Sequence, residues 1–329
     1  MNIVVMGAGA VGGYFGGRLA QAGHRVTLVA RGAHLEALRT GGLRLRSTLG
    51  DVHVERLAAV EDPRDAALDA PLEGGPPDGG TLDGGTLDGG TGDLVLFTVK
   101  AQDSVAAAER IAPLVTAGTR VLTLQNGVDG VDVLRRRFGD EHVLAGVAYI
   151  EALIAEPGAI VHKSPFARVV FGPLVPGDRR AEEVARALKD AGVETTLEGD
   201  PVVAVWRKWL LICAFSGLTA LTRKPIGPVV ERPETRALLR RAMEEIAALA
   251  AARGVALPAD AVEGAMTFVS ETAAPTMTSS LAQDLVAGKR LELEALNGAA
   301  SRLGRELGVA TPVNDFIYAA LVLHAEGAA

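Results

Sequence analysis

The chain has 329 residues, 48% hydrophobic and only 4% aromatic, a length past which one hydrophobic core usually divides, so two domains are predicted. A formal net charge of −7 removes any general attraction to nucleic acid or an anionic membrane, and an anionic ligand must be held by a local cluster of donors. The single cysteine, Cys213, lies in the apolar run Trp209–Phe215 and excludes an internal disulfide, which fits a reducing compartment and a cytoplasmic protein.

Met1 to Val5 has no basic segment and its apolar stretch breaks at Gly7 and Gly9, so no signal peptide is expected there. Arg, Lys or Gly interrupts every apolar stretch before it reaches the roughly 18 charge-free residues of a membrane span. Strands are predicted at Asn2–Met6, Arg25–Val29, Asp93–Val99, Arg120–Leu124 and His142–Tyr149. Helices are predicted between them at Ala10–Ala22, Ala33–Thr40, Gln102–Leu114 and Val128–Phe138. That alternation is the signature of an α/β domain with a doubly wound parallel sheet. Hairpin-like strands at Leu43–Arg46 and Val52–Glu55 interrupt the crossover after the second helix. Residues 71–92 repeat Gly-Gly-Thr-Leu-Asp and read as a low-complexity surface insertion, either an expanded loop or a lid.

Period-2 runs follow at Ala152–Ile154, Ala159–His162 and Arg168–Phe171, then a helix near Ala181–Lys189. From about Pro201 strand patterns stop. Helices are predicted at Val202–Leu221, Pro233–Arg253, Ala259–Glu271, Ser279–Ala287, Leu291–Leu307 and Pro312–Ala325. The domains are therefore read as 1–199, a dinucleotide-binding domain carrying the insertion, and 200–329, an all-α domain.

Gly7-Ala8-Gly9-Ala10-Val11-Gly12 directly follows the first strand and opens a helix. In that context Gly7 permits the tight turn, Gly9 lets a pyrophosphate approach the backbone, and Gly12 allows close helix–strand packing. The second strand ends in Val29-Ala30-Arg31 where an NAD enzyme would carry Asp or Glu for the ribose 2′-hydroxyl. Arg31 can instead grip a 2′-phosphate with its forked guanidinium, which points to NADPH; the alternative is a solvated strand-end arginine. Lys100 follows Phe97-Thr98-Val99 and reads equally as a group over the ligand crevice or as a loop charge. Gln125-Asn126-Gly127 ends the next strand, where Asn126 offers both donor and acceptor, although Asn-Gly alone also reads as a turn.

Trp206-Arg207-Lys208-Trp209 opens an apolar helix on which Lys208, Ile212 and Ser216 share one face. A lysine half-sunk in apolar surface has its charged form disfavoured, which suits a general acid; the other reading is a lysine that snorkels to solvent.

Taken in order, these motifs with Ser279-Ser280 and Glu292 through Asn297-Gly298 resemble the 2-dehydropantoate 2-reductase (ketopantoate reductase) family along nearly the whole chain. The resemblance implies an N-terminal Rossmann domain with a 6-phosphogluconate-dehydrogenase-like helical domain, and NADPH-dependent reduction of a 2-oxo acid in pantothenate biosynthesis. It implies Lys208 as general acid, with Glu292 as its partner and a substrate ligand. Ser280 would bind the substrate carboxylate, Lys100 and Asn126 would meet cofactor and substrate, and Ser216 would line the substrate site. The chain departs from the family where Ile212 and Ser216 stand in place of asparagines, which leaves open another branched 2-oxo acid as substrate. A non-catalytic NADPH-sensing protein is the reading from a different class; it would not need Lys208 and Glu292. The expected ligands are small molecules, with no metal, nucleic acid or membrane, and the alanine-rich helical domain offers a homodimer surface.

Overall fold

The computed structural model describes residues 1–66 and 92–327, so the 71–92 insertion lies outside the described residues but for Gly92. The chain forms two compact units, Met1–Gln125 with Val133–Pro201, and Asn126–Asp132 with Val202–Ala329. The stretch Asn126–Asp132 thus groups with the helices, not with the flanking strands as an unbroken 1–199 segment would have it. Two ion pairs hold it there: Arg302 to Asp129 at 2.7 Å and Arg253 to Asp132 at 3.0 Å.

In the first unit the elements run β1 (Asn2–Met6), α1 (Ala10–Gln21), β2 (Arg25–Val29), α2 (Gly32–Gly41), β3 (Leu43–Ser47), β4 (Val52–Val54) and β5 (Ala58–Val60). They continue with β6 (Leu94–Phe97), α3 (Ser104–Ile111), β7 (Arg120–Thr123), α4 (Asp129–Phe138, whose first four residues belong to the second unit), β8 (Val143–Tyr149), β9 (Ala152–Glu156) and β10 (Ala159–His162). Last come β11 (Arg168–Pro173), α5 (Arg179–Asp190) and β12 (Glu194–Leu197). The main sheet has the order β12-β11-β8-β7-β6-β1-β2-β5. It is parallel from β8 to β5, while β11 lies antiparallel to β8. The apolar runs of β1, β2 and β6 are buried on both faces, as expected of central parallel strands. From β1 the chain winds out to β2 and β5, then returns to β6 on the other side. The strand order reverses between β1 and β6, and ligands of open α/β sheets bind beyond the carboxyl ends at such a point.

The predicted hairpin strands do not stay in the crossover. They build a second sheet, β4-β3-β10-β9, in which β3 and β10 are parallel. Helix α1 is packed between the two sheets on glycine faces. A Cβ on Gly16 would come within 2.9 Å of Leu28 in the main sheet, and one on Gly17 within 2.8 Å of Leu45 in the small sheet. Gly12 and Gly13 repeat the arrangement one turn earlier, against Val5 and Ile160. The apolar core of this unit therefore extends on both sides of α1.

The second unit contains α6 (Pro201–Thr222), α7 (Ile226–Glu231), α8 (Pro233–Ala252), α9 (Ala261–Thr267), α10 (Ser280–Val286), α11 (Asn297–Leu307) and α12 (Pro312–Leu321). Among the described residues α6 alone has the length and apolar composition to cross a membrane; Arg207 and Lys208 interrupt it and 72% of its apolar window is buried, which makes it a core helix. A single helix over Leu291–Leu307 is also not formed. Leu296 leaves helical geometry (φ −105°, ψ −102°), and α11 starts at Asn297, whose buried amide donates to Asn314 Oδ1 at 2.9 Å. Glu292 is thereby placed ahead of the helix, beside a single 3₁₀ turn at Leu293–Ala295. Three short elements were not predicted: β5, β12 and α7. Each is too brief or too polar to show a period, and α7 contains both Gly227 and Pro228.

Candidate active site

At the carboxyl end of β1 the chain turns on Gly7 (φ +100°), a conformation that L side chains rarely adopt. A Cβ there would also strike Val99, 2.8 Å from its backbone nitrogen. Thr98 Oγ1 donates to the Gly7 carbonyl at 2.8 Å, tying the ends of β1 and β6 together at the switch point. At Gly12 a Cβ would collide with that carbonyl and with Thr98 Oγ1, so the helix can approach the strand only with glycine at this place.

Gly9 is different: a Cβ on it would meet nothing within 4 Å. Open space therefore faces the N-terminus of α1, where Gly9 supplies no side-chain cap and the first turn holds no acidic residue. The first-turn amides of Ala10, Val11 and Gly12 have no intrahelical acceptor, and the helix dipole favours negative charge beside them. Ala8 is held by its N–H to Val29 O at 2.9 Å. The cradle fits the pyrophosphate of a dinucleotide by shape and by its donor set.

Arg31 caps the start of α2 just beyond β2, and its side chain is largely exposed. Its Nη2 lies 3.6 Å from Asp103 Oδ2. Lys100 is exposed at the end of the β6 segment. The loop it begins is braced by Gln125, whose Nε2 donates to Val99 O at 2.9 Å and Ser104 Oγ at 2.8 Å. Gln125 is buried, and its place in a Gln-Asn-Gly run gave no sign of this bracing role.

In the helical unit three separate stretches converge. Lys208 lies well inside α6, which starts at Pro201, and so does not open the helix as expected. It is only 8% exposed, and its Nζ donates to Asn126 Oδ1 at 2.8 Å. Burial lowers the Lys208 pKa from 10.5 to about 8, and the charge of half-buried Glu292 opposes that shift. The stretch after Glu292 is fixed to the Asn126 turn: Gly127 has φ +86°, and a Cβ on it would lie 2.6 Å from Ala295 O. Any larger residue at 127 would push Asn126 and the Glu292 segment apart.

Ile212 and Ser216 follow Lys208 at one and two helical turns, Ile212 half-buried and Ser216 buried. The two adjacent serines of α10 behave differently. Ser279 is buried; its Oγ accepts the Ala282 N–H at 3.1 Å and lies 2.8 Å from Thr219 Oγ1 of α6. Ser280, the residue singled out in the sequence, is exposed on the first turn of α10. The hydrogen bond between Ser279 and Thr219 nevertheless brings the start of α10 against the part of α6 that carries Ser216.

A buried ammonium with a pKa near 8, oriented by an amide oxygen and opposite a carboxylate, can hold a proton at neutral pH and give it to a developing alkoxide. Among the described residues no cluster of His, Cys, Asp and Glu could hold a metal ion.

Comparison with known proteins places these features in a family. The profile described as "Ketopantoate reductase PanE/ApbA" matches residues 3–176, and that of "Ketopantoate reductase PanE/ApbA C terminal" matches residues 202–325. A 2-dehydropantoate 2-reductase of Halobacterium salinarum is 33% identical over 314 residues, 95% of each chain. The crystal structure of a PanE/ApbA family ketopantoate reductase from Ralstonia eutropha superposes with a TM-score of 0.84 at 35% identity, covering 99% of this chain and 98% of that one. A D-mandelate dehydrogenase solved with NADH and anilino(oxo)acetate shares the fold, with a TM-score of 0.84 at 22% identity over 99% of this chain and 98% of that one.

Proposed function

The chain belongs to the ketopantoate reductase family of oxidoreductases, and from that membership we propose that it reduces the C2 carbonyl of 2-dehydropantoate to pantoate with NADPH. The observation that carries this reading is the buried Lys208, bonded to Asn126 and within the field of Glu292. A purely dinucleotide-sensing protein has no use for a buried lysine, whose desolvation is costly.

In this reading the turn Gly7, Ala8, Gly9, Ala10, Val11 and Gly12 cradles the pyrophosphate, and Arg31 grips the 2′-phosphate. When bound, NADPH supplies the hydride for C2 of the substrate. Lys208 Nζ gives its proton to the substrate oxygen at C2 as negative charge develops there. Asn126 Oδ1 orients the ammonium, and Glu292 favours its charged form and binds a substrate hydroxyl. Lys100, Asn126, Ser216 and Ser280 complete the polar contacts to cofactor and substrate, with Ser280 donating to the carboxylate. The enzyme works on small molecules and takes no nucleic acid or membrane as partner; it acts in the cytoplasm as a homodimer.

A second reading, reduction of another branched 2-oxo acid, is favoured by one observation. Ile212, half-buried one turn from Lys208, cannot hydrogen-bond a substrate hydroxyl. NADPH oxidation followed spectrophotometrically with 2-dehydropantoate and with 2-oxoisovalerate tests both. Turnover of 2-dehydropantoate with no oxidation in its absence is expected; no turnover of either acid would remove the proposal.

A further inference from the structure

We propose that Asp103 sets how strongly this chain prefers a 2′-phosphorylated dinucleotide, by competing with that phosphate for Arg31. The inference rests on the reading that the glycine turn and Arg31 hold NADPH.

Asp103 directly precedes α3, where an aspartate ordinarily accepts a hydrogen bond from a first-turn amide. Its carboxylate makes no such cap bond. It lies instead beside Arg31, with 3.6 Å between Oδ2 and Nη2. The position is held by the backbone. Asp103 N donates to Lys100 O at 2.9 Å, Ser104 Oγ donates to Ala101 O at 2.7 Å, and Gln125 donates to Ser104 Oγ at 2.8 Å. This chain of bonds runs from the end of β7 to the end of β6, so the carboxylate stands on a braced loop beside the guanidinium.

Two effects then act in the same direction. A 2′-phosphate approaching Arg31 must displace or share the guanidinium with Asp103, and it brings like charge close to the carboxylate. A ribose 2′-hydroxyl has a proton to donate, and a carboxylate is the acceptor that NAD-binding sites use for it. Asp103 therefore weakens NADPH relative to NADH, although Arg31 still favours the phosphate.

The test is the ratio of dissociation constants, Kd(NADH)/Kd(NADPH), from nicotinamide-fluorescence titrations of the intact protein and its Asp103→Asn, Arg31→Ala and doubly substituted variants. Since an exposed Arg–carboxylate pair is a modest interaction, Asp103→Asn should raise the ratio by roughly three- to fivefold. The part of that gain that comes from competition for Arg31 should vanish in the Arg31→Ala background, so the gain there should be smaller. A ratio that stays constant or falls in Asp103→Asn, while Arg31→Ala lowers it, overturns the inference and leaves the cofactor reading intact. A ratio that Arg31→Ala does not change overturns both.

Discussion

Lys208 Nζ and Asn126 Oδ1, 82 positions apart in the chain, meet at 2.8 Å inside the helical unit. The lysine is buried, yet its pKa near 8 keeps it charged at neutral pH. Reduction should therefore lose rate as pH rises through about 8, because the proton donor is lost there. Lys208→Ala should lower kcat by about 10²–10⁴-fold. Binding of NADPH by fluorescence titration should survive, since the glycine turn and Arg31 belong to the other unit. A variant that turns over near the parent rate would take Lys208 out of the chemistry.

Replacing the amide oxygen by a charged one should move that pH limb. In Asn126→Asp a carboxylate stands within hydrogen-bonding reach of the ammonium and favours its charged form. The alkaline fall in kcat should shift upward by about one pH unit or more, whereas Asn126→Ala should shift it downward. The pH–kcat profiles of the two variants decide this, and unmoved limbs would mean that Asn126 does not tune the lysine.

The same burial carries a stability cost with a definite sign. The Lys208 pKa is about 8 when folded against an ordinary 10.5, so the unfolded chain binds the proton more tightly. The cost is full below pH 8 and disappears as pH rises toward 10.5. Lys208→Met, which removes the charge and keeps the volume, should raise Tm at neutral pH, and its advantage should shrink across that window. Thermal unfolding at several pH values measures it.

Arg31→Ala should weaken NADPH binding by roughly 1.5–3 kcal/mol and leave NADH nearly unaffected, since only the former brings a phosphate to a charged hydrogen bond. Equal losses for both dinucleotides would place Arg31 elsewhere in the reaction.

Ile212 bears on the choice of substrate. An unpaired buried hydroxyl costs roughly 1–3 kcal/mol, so an isoleucine facing the hydroxymethyl group of 2-dehydropantoate reduces selectivity over 2-oxoisovalerate. Ile212→Asn should raise the ratio of kcat/KM for the two acids by about tenfold or more. High selectivity in the parent with no gain in the variant would show that another group already pairs that hydroxyl.

Much of the first unit was legible because the central strands, the glycine turn and the helices of the main sheet are local patterns, whereas its two edge strands, β5 and β12, are too short or too polar to show one. The small sheet was not, since β3 pairs with β10, and Arg44 lies beside Ala159 in a register that nothing near either strand announces. The burial of Lys208 could be read from its apolar helical face, but its bond to Asn126 could not, because Asn126 reads as a strand-end group over the crevice and the resemblance gives Glu292 as the lysine's partner. Ser279 and Ser280 show the limit most clearly. Both are small, polar and adjacent, and only the start of α10 decides that the first turns inward while the second faces solvent. Asp103 gave no signal at all, because an aspartate before a helix is ordinarily a cap.

The packing of α1 on glycine has a consequence for motion. Its sequence AVGGYFGGRLAQ carries glycine at 12, 13, 16 and 17, each costing about 1 kcal/mol of helix stability against alanine. Such a segment does not persist as a helix once either sheet lets go. Amide hydrogens of α1 should therefore exchange with solvent only through opening of a large part of this unit, and residues 43–54 and 152–162, remote in sequence, govern how long the amino-terminal end of the helix stays formed.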